Sequence, residues 1–238
     1  HKHAGKNNSF KLNFDQKFSS FSLGASYMNS MRNPTLYEMF GTDNYGYSGN
    51  INLKPEKSNT YEVYSNIIFN ENFNLSLRAF RANIKDNIEY IDNKYQNDTD
   101  NINLNQSGFN NQLKIKLKNK SINLFSSFLS SKKENNADQL RRPEKNYGLI
   151  IKSKITNNFF GDLDFNLMYN HYGKHFDTHS SNFSTIELDS TDLIDLKVSK
   201  KLFNSNFFVK ISNILNENYQ RPHGYNQDKR LIRFGIKY

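Results

Sequence analysis

The chain has 238 residues, with 32 Lys and Arg against 23 Asp and Glu, a formal net charge of +9, and neither Cys nor Trp. Without Cys, a disulfide framework and any thiolate-ligated zinc or iron–sulfur site are excluded, and no apolar run approaches the roughly 18–20 residues of a transmembrane helix. Only 36% of the residues are hydrophobic, against roughly 45–50% apolar (Gly included) in ordinary globular chains, yet 20 Phe and 14 Tyr are too many for a solvated disordered chain.

Alternation with a period of two marks one strand after another. In chain order the predicted strands are 9–17, 20–29, 58–70, 73–90, 101–117, 121–132, 141–156, 159–174, 186–201, 206–217 and 228–238. The clearest run has Phe159, Gly161, Leu163, Phe165, Leu167 and Tyr169 on one side, with Asp162, Asp164, Asn166 and Asn170 between them. Leu113, Ile115 and Leu117 alternate with Lys114, Lys116 and Lys118 in the same way, and Ile232, Phe234, Ile236 and Tyr238 with Arg233, Gly235 and Lys237. Apolar residues at three-to-four spacing, which a helix needs, do not appear in these runs. The chain is therefore expected to be all-β.

The connections carry a second period. Short ones fall around Lys17–Ser19, Asn70–Asn72, Lys118–Lys120, Asn157–Asn158 and Leu202–Ser205; long polar ones fall at 30–57, 91–100, 133–140, 175–185 and 218–227. Short and long alternate throughout. A soluble sandwich or solenoid, the competing all-β architecture, has no reason to do this. An antiparallel up-and-down transmembrane β-barrel does, with tight turns on the periplasmic side and long loops outside. Such a wall shows lipid only every second side chain, and about 9–11 residues cross the bilayer, which reconciles high polarity with high aromatic content. The last strand then runs from outside to the periplasm. Counting back, the chain opens in an external loop, so about eleven strands of a larger, even-numbered barrel are expected here.

Several segments resemble motifs of the TonB-dependent outer-membrane receptors. Met31-Arg32-Asn33-Pro34-Thr35-Leu36-Tyr37-Glu38-Met39-Phe40-Gly41 is similar to the family's FRAPTLYELFG segment, and Asn50-Ile51-Asn52-Leu53-Lys54-Pro55-Glu56-Lys57-Ser58 to its NPNLKPEKS segment, with Glu62 following. Asn105 to Phe109 resembles the stretch before a further family strand, and Ser212 to Tyr219 resembles NLFdexY, where x is any residue. Arg230 to Tyr238 resembles the closing strand with its terminal aromatic residue. Within the family, Leu140-Arg141-Arg142-Pro143-Glu144-Lys145 and the loop from Tyr219 to Arg230 look most like vitamin B12 (cobalamin) receptors.

The resemblance implies 22 strands around an N-terminal plug domain, with residues 1–238 supplying the C-terminal part of the barrel. It implies an outer-membrane, TonB-energised receptor for a large scarce solute, cobalamin first. A ferric siderophore or a passive porin-like barrel is the alternative. The implied partners are that ligand, the chain's own plug, the TonB complex through the plug, and outer-membrane lipids. Heme receptors of the family carry a His between the first two motifs; none lies between Arg32 and Leu53.

Ligands of this class are held by aromatic and polar loop residues, which nominates Tyr37, Tyr45, Tyr47, Tyr95, Arg142 and Tyr225, with loop packing or an interfacial belt as the competing role for the tyrosines. His171, His175 and His179, with Asp177, recur at spacing four, and Asp92, Asp98 and Asp100 form an acidic loop. Neither pattern has the ligand order of a dedicated metal site, and no cofactor is expected. The basic charge alternates with apolar residues on strands, which points to a lumen or headgroups rather than nucleic acid. No phosphate-cradling Gly-rich loop or nucleophile motif is present, so catalysis is not expected.

Overall fold

The computed structural model describes residues 8–44, 46–91, 94–97, 104–133, 135–157, 159, 161–182 and 184–237. In chain order its elements are β1 (Phe10–Lys17), β2 (Phe21–Arg32), α1 (Leu36–Phe40), β3 (Glu56–Asn70), β4 (Phe73–Lys85), β5 (Ile88–Ile91), β6 (Lys94–Asn97), β7 (Leu104–Leu117), β8 (Lys120–Lys133), β9 (Lys145–Asn157), β10 (Gly161–Tyr172), β11 (His175–Thr178), β12 (Thr185–Leu188), β13 (Thr191–Leu202), β14 (Ser205–Ser212) and β15 (Leu231–Lys237). Eleven form one antiparallel sheet in the order β1-β2-β3-β4-β7-β8-β9-β10-β13-β14-β15, and β5-β6 and β11-β12 are separate hairpins. The sheet is an uninterrupted meander, as the alternation of turns and loops predicts.

The registers show two faces of opposite character. Across eight strands the directly paired residues read Phe73, Ile115, Ile122, Ile151, Leu167, Leu196, Ile211 and Ile232. The next row reads Lys116, Ser121, Lys152, Asn166, Lys197, Lys210 and Arg233. Adjacent rows of a pleated sheet point to opposite sides. One side is thus a continuous apolar surface and the other is wet and basic.

Tyr27, Tyr61, Tyr147 and Tyr169 stand on the apolar side towards the loop end, and Phe14, Phe21, Phe73 and Phe207 towards the turn end. These are the two interfacial girdles of a membrane barrel. Phe234, which is 77% exposed, is accordingly a lipid-facing side chain. The net positive charge goes to the opposite side, where Lys154 pairs with Asp162 at 2.8 Å, Lys210 with Asp195 at 3.1 Å, and the Lys197 ammonium lies 4.6 Å from the Phe208 ring centre.

Four glycines of the wet side lie directly opposite aromatic residues: Gly24 with Tyr64, Gly108 with Phe80, Gly148 with Phe125, and Gly235 with Phe208. A β-carbon at any of them would run into that ring. Each missing side chain leaves room for the neighbouring ring to lie flat over the sheet.

The strand ends at the loop side depart from expectation. The run predicted as 73–90 divides at Asp86, whose φ of 53° ends β4, and the remainder starts β5. The strand predicted from 141 begins at Lys145, because Arg141 is left-handed (φ 61°) and Pro143 has no N–H to give the ladder. The strand predicted from 186 starts at Thr191, since 185–188 pairs with β11 instead. The strand predicted to 217 ends at Ser212, where Asn213 turns left-handed (φ 52°) and its side chain binds the backbone of Glu217 and Asp228. The 30–57 connection holds α1, opened by a capping box. The Thr35 hydroxyl accepts from the Glu38 N–H at 3.2 Å and the Glu38 carboxylate accepts from the Thr35 N–H at 2.6 Å.

Candidate functional site

All long connections lie at one end of the sheet, and two of them interlock. Arg32, at the end of β2, donates to Glu56 at 2.5 Å and to both oxygens of Glu38 at 3.0 and 3.1 Å. The other Glu56 oxygen accepts from the Ile88 N–H at 2.8 Å, tying the β5–β6 hairpin to the same hub. Burial opposes ionisation of Glu38, but the Thr35 N–H and Arg32 outweigh it and hold its carboxyl below the ordinary value. Asn97 completes the clasp: its carbonyl accepts from the Lys54 N–H at 2.6 Å, and its amide donates to the Lys54 and Asp86 carbonyls at 3.0 and 2.7 Å. Asn50 donates to the Tyr95 carbonyl at 3.1 Å.

Four tyrosines fill the space this clasp encloses. Tyr47 is only 4% exposed, stacks on Tyr37 at 4.8 Å, and contacts Tyr90 and Tyr95 at 5.9 and 5.8 Å; Tyr90 and Tyr95 are 5.1 Å apart. The Tyr47 hydroxyl donates to the Tyr37 carbonyl at 2.6 Å, and burial pushes its phenol above the ordinary value. Tyr37 and Tyr90 remain 55% and 51% exposed. The cluster is therefore a buried phenol carrying two half-open aromatic faces. Three of its members, Tyr37, Tyr47 and Tyr95, are nominated by the sequence. Tyr90 is not, because it lies inside a run predicted as one strand, and Tyr45 lies outside the described residues. The Tyr47 ring and hydroxyl are both engaged inside the loop.

Arg142 and Tyr225 stand apart from this cluster, and both are exposed. It is the neighbouring Arg141 that is built into the fold. Its Nε donates to Asp177 at 2.7 Å, and Asp177 is wholly buried and also accepts from the Thr178 and His223 N–H groups at 2.7 and 2.8 Å. Burial raises the Asp177 carboxyl, but Arg141 and the two N–H groups outweigh it and hold the group below the usual carboxylate value. This brace joins the β8–β9, β10–β13 and β14–β15 connections. Nearby, the Arg221 guanidinium lies 4.0 Å from the Tyr172 ring centre.

The histidines at spacing four do not converge. His171 stacks on Tyr147 at 4.4 Å and bonds Asp192 at 2.9 Å on the apolar side of the wall. His175 is buried with Nδ1 3.3 Å from the Gly173 carbonyl, and His179 packs on His223 at 4.5 Å. Among the described residues no group of three or more His, Asp and Glu is placed to hold a metal ion. Asp92, Asp98 and Asp100 lie outside the described residues.

Residues 2–214 match the family described as TonB dependent receptor-like, beta-barrel. No curated protein sequence matches the chain. Among solved structures, the siderophore receptor PirA from Acinetobacter baumannii superimposes with a TM-score of 0.77 at 19% identity, over 100% of this chain and 41% of that one. The ferripyoverdine receptor of the outer membrane of Pseudomonas aeruginosa gives 0.71 at 15% identity, over 96% and 32%. The copper transporter OprC gives 0.76 at 11% identity, over 95% and 37%. At these identities the likeness is one of fold, and the chain spans well under half the length of each. The meander, its two faces and the sequence match agree: the chain belongs to the TonB-dependent receptor-like β-barrel family, of the outer membrane of Gram-negative bacteria.

Proposed function

We propose that the chain is the C-terminal part of an outer-membrane receptor that imports a large metal chelate, a ferric siderophore. In this reading the lipid-facing wall encloses a plug supplied by the N-terminal part of the polypeptide. The TonB complex acts on that plug, and the interlocked external loops make the first contact with ligand. The observation that carries the reading is the tyrosine cluster held by the Arg32 and Asn97 clasps. In this reading the half-open rings of Tyr37 and Tyr90 meet the solute at the external end of the lumen. Such rings supply flat apolar area and phenol donors, which suit an oxygen-rich chelate with aromatic or aliphatic arms.

Two similar structures are siderophore receptors and a third is a copper transporter, which favours a metal chelate over cobalamin. Cobalamin remains the second ligand to test, on the likeness of Leu140 to Lys145 and of the last loop to vitamin B12 receptors. Equilibrium binding and uptake of radiolabelled ferric siderophores and of cobalamin by the complete receptor, with and without TonB, separate these readings. Saturable TonB-dependent uptake of a ferric siderophore is expected. Uptake of small solutes that is unsaturable and indifferent to TonB would instead identify a passive pore.

A further inference from the structure

A cleft of 340 Å³ lies between Pro143 and Pro222 at the loop end of the sheet, lined by Arg141, Asn146, Tyr172, His175 and Arg221, with Asp177 at its base. Its charge is not balanced from within. Both Asp177 oxygens are taken, one by Arg141 and the Thr178 N–H and the other by the His223 N–H. Arg141 spends its Nε there. Among the described residues, neither Arg221 nor the terminal nitrogens of Arg141 pair with a further carboxylate. One positive charge is therefore left over, and Tyr172 holds the Arg221 guanidinium in place beneath Pro222. A guanidinium seated over a ring still has its N–H groups to offer as a fork of donors that matches a carboxylate or phosphate.

A second observation points to a ligand. The side-chain oxygen of Asn146 is buried and has no hydrogen-bond partner. An orphaned buried acceptor calls for a donor that the protein does not supply. Register decides which side the cleft serves. Asn146 pairs directly with Tyr172 on the wet side, while the next pair, Tyr147 with His171, points to lipid. A lipid headgroup therefore approaches the wrong face, and a solute in the lumen approaches the right one.

We infer that this cleft is a subsite for an anionic group with a neighbouring hydroxyl, in particular a hydroxycarboxylate, carried by a solute entering the lumen. Arg221 and the terminal nitrogens of Arg141 take the anion, and Asn146 takes the hydroxyl proton in a hydrogen bond. The inference deepens the receptor reading and rests on it for a lumen open to solute.

Malate and succinate have the same charge and differ by one hydroxyl, so they probe both halves of the subsite. Titration calorimetry with the complete receptor in detergent is expected to show malate binding about fivefold or more tighter than succinate, the size of one hydrogen bond to an otherwise unsatisfied acceptor. Arg221→Gln should weaken malate about tenfold or more, Asn146→Ala should bring malate down to succinate, and Lys118→Gln, in the short turn between β7 and β8 at the other end of the sheet, should change nothing. Heat-resistant migration on gels checks that each variant keeps its barrel.

Equal binding of the two acids, malate binding indifferent to Arg221→Gln, or displacement of malate by lipopolysaccharide in the micelle overturns the inference. A receptor that imports a ferric siderophore but lacks Arg221-dependent malate binding loses the subsite and keeps its proposed function. Malate binding without uptake has the opposite meaning.

Discussion

Tyr64 reaches across Gly24 to donate its hydroxyl to Asp15, so one side chain spans three strands on the wet side of the wall. The reach exists only because Gly24 has no β-carbon; one placed there would meet the Tyr64 ring. Gly24→Val should therefore displace the ring and destabilise the barrel by about 1–3 kcal/mol, the usual cost of overpacking. Combining it with Tyr64→Ala should recover part of that cost, because the clash disappears with the ring. Denaturant unfolding of the two single variants and the double variant measures the coupling. Strict additivity would mean that ring and glycine are independent.

The two neighbouring rows through Asn166 and Leu167 make opposite predictions for the same substitution. Leu167 lies between Ile151 and Leu196 on the lipid side, and Asn166 between Lys152 and Lys197 on the lumen side. Leu167→Arg places a charge near the bilayer midplane and should cost about 2–4 kcal/mol. Asn166→Arg places the same charge in water, beside other cations, and should cost well under half as much. Unfolding in lipid vesicles reads both. Comparable losses would mean that the sheet does not divide lipid from water.

The meander was legible because lipid and water impose a strict period of two on every strand, as in the run from Phe159 to Tyr169. Strand ends at the loop side were not, because single residues set them. Asp86, Arg141 and Asn213 leave the ladder through left-handed backbone held by contacts 11 to 36 residues away in sequence. The hairpins β5–β6 and β11–β12 alternate as the wall does, so period alone merges β5 with β4 and β12 with β13. Helix α1 had a local signal, Thr35 followed three residues later by Glu38, inside a segment read as loop. The tyrosine cluster was three-quarters visible because its members crowd two loops. The Arg141–Asp177 brace joins three distant connections, and no spacing in the sequence announces it.

Asp177 should make the loops acid-sensitive. Burial disfavours its charge, but Arg141 and the N–H groups of His223 and Thr178 win and lower its folded pKa, against an unfolded value of about 3.9. A depressed folded value stabilises the native loops fully above the unfolded value, and the contribution is lost as pH falls through the folded one. Hydrogen-exchange protection of residues 173–178 should thus hold from pH 7 to about 5 and fall only below about 4. Asp177→Ala, which orphans two part-buried N–H groups, should cost about 1–3 kcal/mol of local stability at pH 7 and abolish the acid step. Acid opening that persists in Asp177→Ala would assign the step to another group.

Tyr37 and Tyr47 stack on one another, yet they should respond differently to mutation. Tyr47 is buried and its hydroxyl is spent on the Tyr37 carbonyl. Tyr47→Phe should therefore loosen the loop by about 1 kcal/mol, with little direct effect on ligand. Tyr37 and Tyr90 offer open ring faces. Replacing either by Ala should weaken chelate binding by about fivefold to tenfold, the range of one aromatic contact, while leaving barrel stability nearly unchanged. Ferric siderophore titrations of the complete receptor, run beside hydrogen exchange of residues 33–44, distinguish the two classes. If Tyr37→Ala and Tyr90→Ala bind as the parent does, the cluster is loop packing alone, and recognition must be sought elsewhere on the external surface.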